Sequence, residues 1–231
     1  MGNDEGSKKV SRTYVDRDYP ALAVLAVLLV ALVLAGYFSF KTITRGGDFM
    51  AEEAVREWIK DLEEKVRQLV EQSPRVEKRK RGGAQQHLAE GYRHYQQKKY
   101  AAATEAFGRA IQLDAGNAEA YFWRGRSLIN QGRFENAVED FQRAVTLKTD
   151  YGDAYENLGW LFDRLGQSEK GIEALSRAIE IKPESGWAYY QRGRMLFKTG
   201  EKDKALRDAE RSCSLGFQEG CRAYETFKSG G

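Results

Sequence analysis

Ala118–Leu147 reads AEAYFWRGRSLINQGRFENAVEDFQRAVTL, and Gly152–Ile181 reads GDAYENLGWLFDRLGQSEKGIEALSRAIEI. Laid over each other, the two stretches agree in kind at their small residues, and the offset is 34 residues. Carried outward in both directions, the same offset starts units at Ala84, Ala118, Gly152 and Gly186. It aligns Gly91, Gly125, Gly159 and Gly193, then Ala103, Ala137, Gly171 and Ala205, then Ala110, Ala144, Ala178 and Ser212. Between the last two columns fall Phe107, Phe141, Leu175 and Ala209. Small residues at helical spacing let two antiparallel helices approach closely, and the large residue is expected to fill the gap toward the next unit. One such unit cannot bury its own apolar face, so the units must stack.

These columns resemble the tetratricopeptide repeat (TPR), over Ala84 to about Leu215. The resemblance implies an all-α fold, a right-handed α-solenoid of four helix-turn-helix units with a concave groove. The edges depart from the pattern: His87 and His94 stand in the first unit where a large aromatic or Tyr is usual, and Ala209 in the fourth where a bulky residue is common. Beyond the stack, Cys213 and Cys221 resemble the cysteine pair of Sel1-like repeats, which implies a disulfide tying the last unit to a capping helix at about residues 218–227. The alternative is two thiols packed as small apolar groups.

Upstream, Ala21–Phe40 holds no charged residue, and its length at the helical rise spans roughly 30 Å, the thickness of a bilayer's hydrocarbon core. The segment is expected to be a single uncleaved transmembrane helix, residues 20–40, after an N-terminal tail of residues 1–19. A removed signal peptide ending near Gly36 is the alternative. Lys8, Lys9, Arg12 and Arg17 precede it, against Lys41 and Arg45 behind it. The count favours a cytoplasmic N-terminus, and therefore a bacterial inner-membrane protein with its repeats in the periplasm. The basic run between Arg75 and Arg81 counts against that orientation.

After Gly46-Gly47, residues 48–73 read as an amphipathic, coiled-coil-like helix, with Val55, Ile59, Leu62, Val66 and Leu69 spaced alternately by four and three. Self-association through 55–69 and a lone spacer are both open readings. Acid-before-base pairs, Asp61 with Lys65 and Glu63 with Arg67, suit an isolated helix. Ser73-Pro74 is expected to stop it, and residues 74–83 to form a basic linker closed by Gly82-Gly83. The four units then take 84–217, and a capping helix and tail 218–231.

The composition, 42% hydrophobic and 31% charged, is that of a globular chain. No phosphate loop, nucleophile motif, dinucleotide fingerprint or metal signature is found, so an enzyme is not expected, nor a cofactor. His87 and His94 share a helix face, but packing explains them better than metal ligation. The basic run lacks interleaved aromatics, so no nucleic acid is expected. The resemblance implies that the first helix of each unit lines the groove. Its inward positions are Tyr92 and Tyr95, then Phe122, Arg126 and Ile129, then Glu156, Trp160 and Asp163, then Trp187, Tyr190, Arg194 and Phe197. Aromatics and Arg carry binding energy well, which points to a protein or peptide partner. The Lys and Asn clamp by which some family members grip a chaperone's C-terminal carboxylate is missing, since Leu88 and Tyr92 occupy its positions. The function expected from sequence is a membrane-anchored scaffold. A structural subunit that oligomerises, and a cytosol-facing receptor, are the alternatives.

Overall fold

A computed structural model describes residues 49–229, which contain ten helices and no strand. The expected membrane helix lies outside these residues; among the described helices none is long and apolar enough to cross a membrane. The described residues divide into two units, with the boundary between Arg79 and Lys80.

In the first unit, α1 runs Phe49–Glu71. Lys65 pairs with Asp61 at 2.7 Å, as expected, whereas Arg67 reaches Glu64 at 3.2 Å, one residue on from the expected Glu63. Both spacings put acid and base on one helix face, so the choice between them is worth only a few tenths of a kcal/mol. Trp58, Leu69 and Val70 are exposed.

Helix α2, Pro74–Gln96, changes the expected layout. Pro74 sits at its first position and Ser73 Oγ accepts from the Val76 amide at 3.4 Å, an N-terminal cap rather than only a stop. The helix then continues through the whole of the expected linker 74–83, glycines included. A Cβ at Gly83 would stand 3.0 Å from Leu113 Cδ1, whereas one at Gly82 would meet nothing within 4 Å.

In the second unit, α3 (Tyr100–Leu113) packs on α2, with Phe107 against Gly91 and Tyr92. Next come α4 (Ala118–Asn130) with α5 (Phe134–Leu147), α6 (Gly152–Arg164) with α7 (Ser168–Ile181), and α8 (Gly186–Lys198) with α9 (Lys202–Ser214). Helix α10 (Gln218–Lys228) packs on α9 and α8. The aligned columns explain the packing. A Cβ at Gly91 would meet the Phe107 ring at 2.5 Å, one at Gly125 the Phe141 ring at 3.0 Å, and one at Gly159 Leu175 Cγ at 2.4 Å. The large residue therefore sits on the glycine of its own unit, a correction to the expectation that it faces the next one. In the fourth unit Ala209 leaves no such ring, and Gly193 instead faces Ala205 O and Asp208 Cβ, both at 3.2 Å.

The two exceptions among the small columns have local causes. At Gly171 a Cβ would lie 2.0 Å from Met195 Cε and 3.1 Å from the Gly159 carbonyl oxygen, closer than an alanine there allows unless Met195 moves. Ser212 replaces Ala because its hydroxyl donates to Gly186 O at 2.7 Å. Phe107, Phe141 and Leu175 are fully buried, and truncating either Phe to Ala would cost about 3–5 kcal/mol.

Cys213 and Cys221 form a disulfide, and no free cysteine remains. It joins α9 to α10, whose only fully buried residue is Gly220, seated on Ser212.

Candidate functional site

The first helices of the four units, α2, α4, α6 and α8, bring the expected groove residues into three groups. At the first and second units, Tyr92 and Tyr95 from α2 meet Trp123 from α4 edge-on, with ring centres 5.1 and 5.2 Å apart. The Arg126 guanidinium lies over Trp123 at 4.9 Å, Tyr95 at 5.5 Å and Phe122 at 6.0 Å. Asn130 Nδ2 donates to the Tyr95 hydroxyl at 3.4 Å, and the Tyr92 hydroxyl donates to the Glu119 carboxylate. Burial first, and then that bond, push the Tyr92 phenol well above its ordinary value.

Phe122 is buried, packed edge-on against Phe141 and stacked on Tyr151 at 4.8 Å. It is therefore part of the inter-unit core and supports Arg126 from below instead of offering a free surface. Tyr151 is pushed up to about 12 by burial and then by the charges of Glu119 and Asp153.

In the second group, α6 supplies Glu156, Trp160 and Asp163. Trp160 meets Phe134 edge-on at 5.8 Å, and the Arg164 guanidinium caps both rings, 5.5 Å from Trp160 and 5.7 Å from Phe134. Glu156 accepts from Ser185 Oγ at 2.6 Å and lies 3.6 Å from Lys182 Nζ, which also pairs with Asp153 at 2.6 Å. Ile129 packs at the edge of the same core.

The third group belongs to α8. Arg194 and Lys198 face Asp163 at 4.0 and 3.9 Å, and Arg194 also lies 5.6 Å over the Tyr190 ring. Tyr190 packs against Phe217, and Phe197 is stacked on Phe227 of α10 at 4.3 Å. The capping helix thus covers the last inward position, and Tyr190 and Phe197 are held by the C-terminal segment. Trp187 is half-buried beside the core around Leu175. Arg194 is 46% exposed and is the freest of the expected residues.

Sequence reading missed Trp123, Asn130 and Arg164. All three lie on first helices one position away from the inward set, so the aligned frame placed them beside the face without showing that they reach it. His87 and His94 flank Glu90, with His87 Nδ1 at 3.1 Å and His94 Nε2 at 3.8 Å from its carboxylate. The bond from His87 holds the Glu90 carboxyl below its ordinary value. No cluster of three metal-ligating side chains occurs among the described residues.

Two overlapping stretches, residues 88–157 and 152–185, match the tetratricopeptide repeat family. This chain carries tetratricopeptide repeats. A crystal structure of MamA protein is 25% identical with a TM-score of 0.61, covering 64% of this chain and 82% of that one. A second MamA crystal structure is 28% identical with a TM-score of 0.54, covering 63% and 81%. The crystal structure of YrrB, a TPR protein with an unusual peptide-binding site, has a TM-score of 0.57 at 21% identity, covering 62% and 75%, which shows the fold alone. No curated protein matches the chain. The repeat fold is typical of protein–protein interaction scaffolds, generally without enzymatic activity.

Proposed function

We propose that this chain is a membrane-anchored TPR scaffold that holds a protein or peptide partner along the face of its first helices, within a bacterial envelope assembly. The observation that carries the binding reading is the chemistry of that face. Arginines 126, 164 and 194 each lie over aromatic rings contributed by the first helices, the combination that dominates protein-binding hot spots. Such a face gives a partner segment large apolar area together with forked hydrogen-bond donors, at small entropy cost.

The anchor rests on the uncharged run of residues 21–40, and the periplasmic placement of the repeats on the Lys and Arg count around it. Retention in membranes after carbonate washing, with an N-terminal tag kept, tests the anchor. Labelling an engineered cysteine from either side of the membrane separates a periplasmic scaffold from a cytosol-facing receptor. For the face itself, Arg164→Ala and Arg194→Ala should abolish retrieval of the wild-type partner while leaving the melting point within a few degrees. Retrieval of the same partner by both variants would remove the binding reading.

A second reading is favoured by the surface of α1. Trp58, Leu69 and Val70 are exposed on a helix whose Ile59, Leu62, Val66 and Leu69 keep coiled-coil spacing, which suits an oligomer-forming subunit. Light scattering that finds only monomers for the full chain, at any concentration, would dismiss it.

A further inference from the structure

Resting on the face described above as a partner-binding surface, we propose that the partner segment is acidic, and that Arg126, with Arg164 as a second anchor, receives its carboxylates. Every carboxylate on α4, α6 and α8 is engaged: Glu119 by the Tyr92 hydroxyl, Asp153 and Glu156 by Lys182, and Asp163 by Arg194 and Lys198. Of the cations, Arg124 and Arg192 are paired with Asp140 and Asp208, and Arg194 and Lys198 share Asp163. Arg126 and Arg164 alone on these helices touch rings and no carboxylate.

Geometry explains why the ring contacts leave them available. A guanidinium interacts with an aromatic ring chiefly through its charge, while its five N–H donors point outward in its own plane, matched to the two oxygens of a carboxylate. Three rings hold Arg126 in place, so little further order is lost when a carboxylate docks. Arg126 is also half-buried, and an ion pair formed there is screened less than one in open water. The single acid on its own helix, Glu119, takes the Tyr92 hydroxyl bond instead. Helices α4 and α6 therefore carry two oriented, unneutralised cations one unit apart, with aromatic surface around each. A segment with Asp or Glu at two places and apolar residues between them complements it; a basic segment would meet both cations with nothing to offset them.

The test uses a phage-displayed library of random dodecapeptides selected on the full chain, followed by affinity measurements with the selected sequences. The proposal expects selected peptides rich in Asp and Glu, whose affinity falls about tenfold in Arg126→Gln, the usual loss when a charge-assisted fork is removed. It expects a smaller loss in Arg164→Gln and a decline as salt is raised. Arg126→Glu should prefer the same peptides with Lys in place of their acids, an exchange that a merely structural role for Arg126 would not produce. Selected peptides without acidic bias, equal affinity for wild type and Arg126→Gln, or a library yielding no binder would each overturn the proposal. The two levels separate cleanly. Peptides that lose affinity in Arg194→Ala but not in Arg126→Gln leave the binding face standing and remove the acidic anchor. Peptides indifferent to all three variants remove both.

Discussion

Arg192 donates through Nε and Nη2 to the two carboxylate oxygens of Asp208, at 2.7 and 2.9 Å, and Arg124 repeats the same fork on Asp140 two units earlier, at 2.8 and 2.6 Å. The unit between them carries Leu158 and Ala174 in the same two columns, both buried. One pair of positions on the first and second helices thus accepts either a forked ion pair or an apolar pair. Asp140 is only 5% exposed, and burial holds its carboxyl above the ordinary value in spite of Arg124. The ion pair is an offset of desolvation, not a large net gain.

Breaking that pair should therefore hurt more than replacing it. Asp140→Ala alone strands a partly buried guanidinium and should cost about 3 kcal/mol. The double variant Arg124→Leu with Asp140→Ala copies the intervening unit and should return to within about 1 kcal/mol of wild type. Urea unfolding of wild type and the two variants checks this; a double variant as unstable as the single would show that the fork is a net source of stability.

The turn inside each unit makes a second prediction. Gly132, Gly166 and Gly200 occupy one column and have φ of 73°, 72° and 90°, while the first unit has Lys98 there at φ 58°. A side chain in this left-handed region costs about 1–2 kcal/mol. Lys98→Gly should accordingly stabilise the chain by about 1 kcal/mol, and Gly166→Ala should destabilise it by a similar amount. Thermal melts decide it, and a Lys98→Gly variant that melts lower than wild type would contradict the backbone argument.

Two half-buried phenols give a pH signature. In the folded chain Tyr92 and Tyr151 are both raised above the ordinary value of 10.0, Tyr151 to about 12. Because the folded state holds these protons more tightly, their contribution is fully present below pH 10 and is lost as the pH rises through the folded values. Ultraviolet titration should show tyrosine ionisation continuing well above pH 10, and stability should fall between pH 10 and 12. Tyr92→Phe should remove part of that fall; uniform ionisation near pH 10 would mean the phenols are open to solvent.

The disulfide ties down an otherwise lightly buried helix. Replacing Cys213 or Cys221 with Ser should lower stability by roughly 2–3 kcal/mol, since a short loop is no longer closed in the unfolded chain. Reductant should have the same effect on wild type, and amide exchange in α10 should quicken first. Equal melting temperatures with and without reductant would show that the bond contributes nothing.

The repeat frame was legible because each of its columns records one contact: glycine under a ring at Gly91 and Phe107, alanine at a helix crossing at Ala103 and Ala110. The course of α2 through Gly82-Gly83 was not legible, because two glycines and a basic run read locally as a break. The helix nevertheless runs unbroken through both glycines. The face was legible only in part. Position along a helix indicates a direction, and it placed Arg126 and Arg194 on the first helices' exposed side. It carries no record of what covers a residue from elsewhere, and so did not show Phe122 stacked on Tyr151 or Phe197 under Phe227. The Arg124–Asp140 fork leaves its mark in the aligned repeats, where the two residues are replaced together by Leu158 and Ala174.

The central claim is that the first-helix face holds the partner. Photocrosslinking in cells tests it most directly, with the reactive residue placed singly at Arg164 or Arg194 on that face and at Glu173 or Glu180 on the exposed side of α7. The account predicts one discrete protein adduct from Arg164 and Arg194, and none from Glu173 and Glu180. Adducts of equal yield from both sets, or from Glu173 and Glu180 alone, would contradict it.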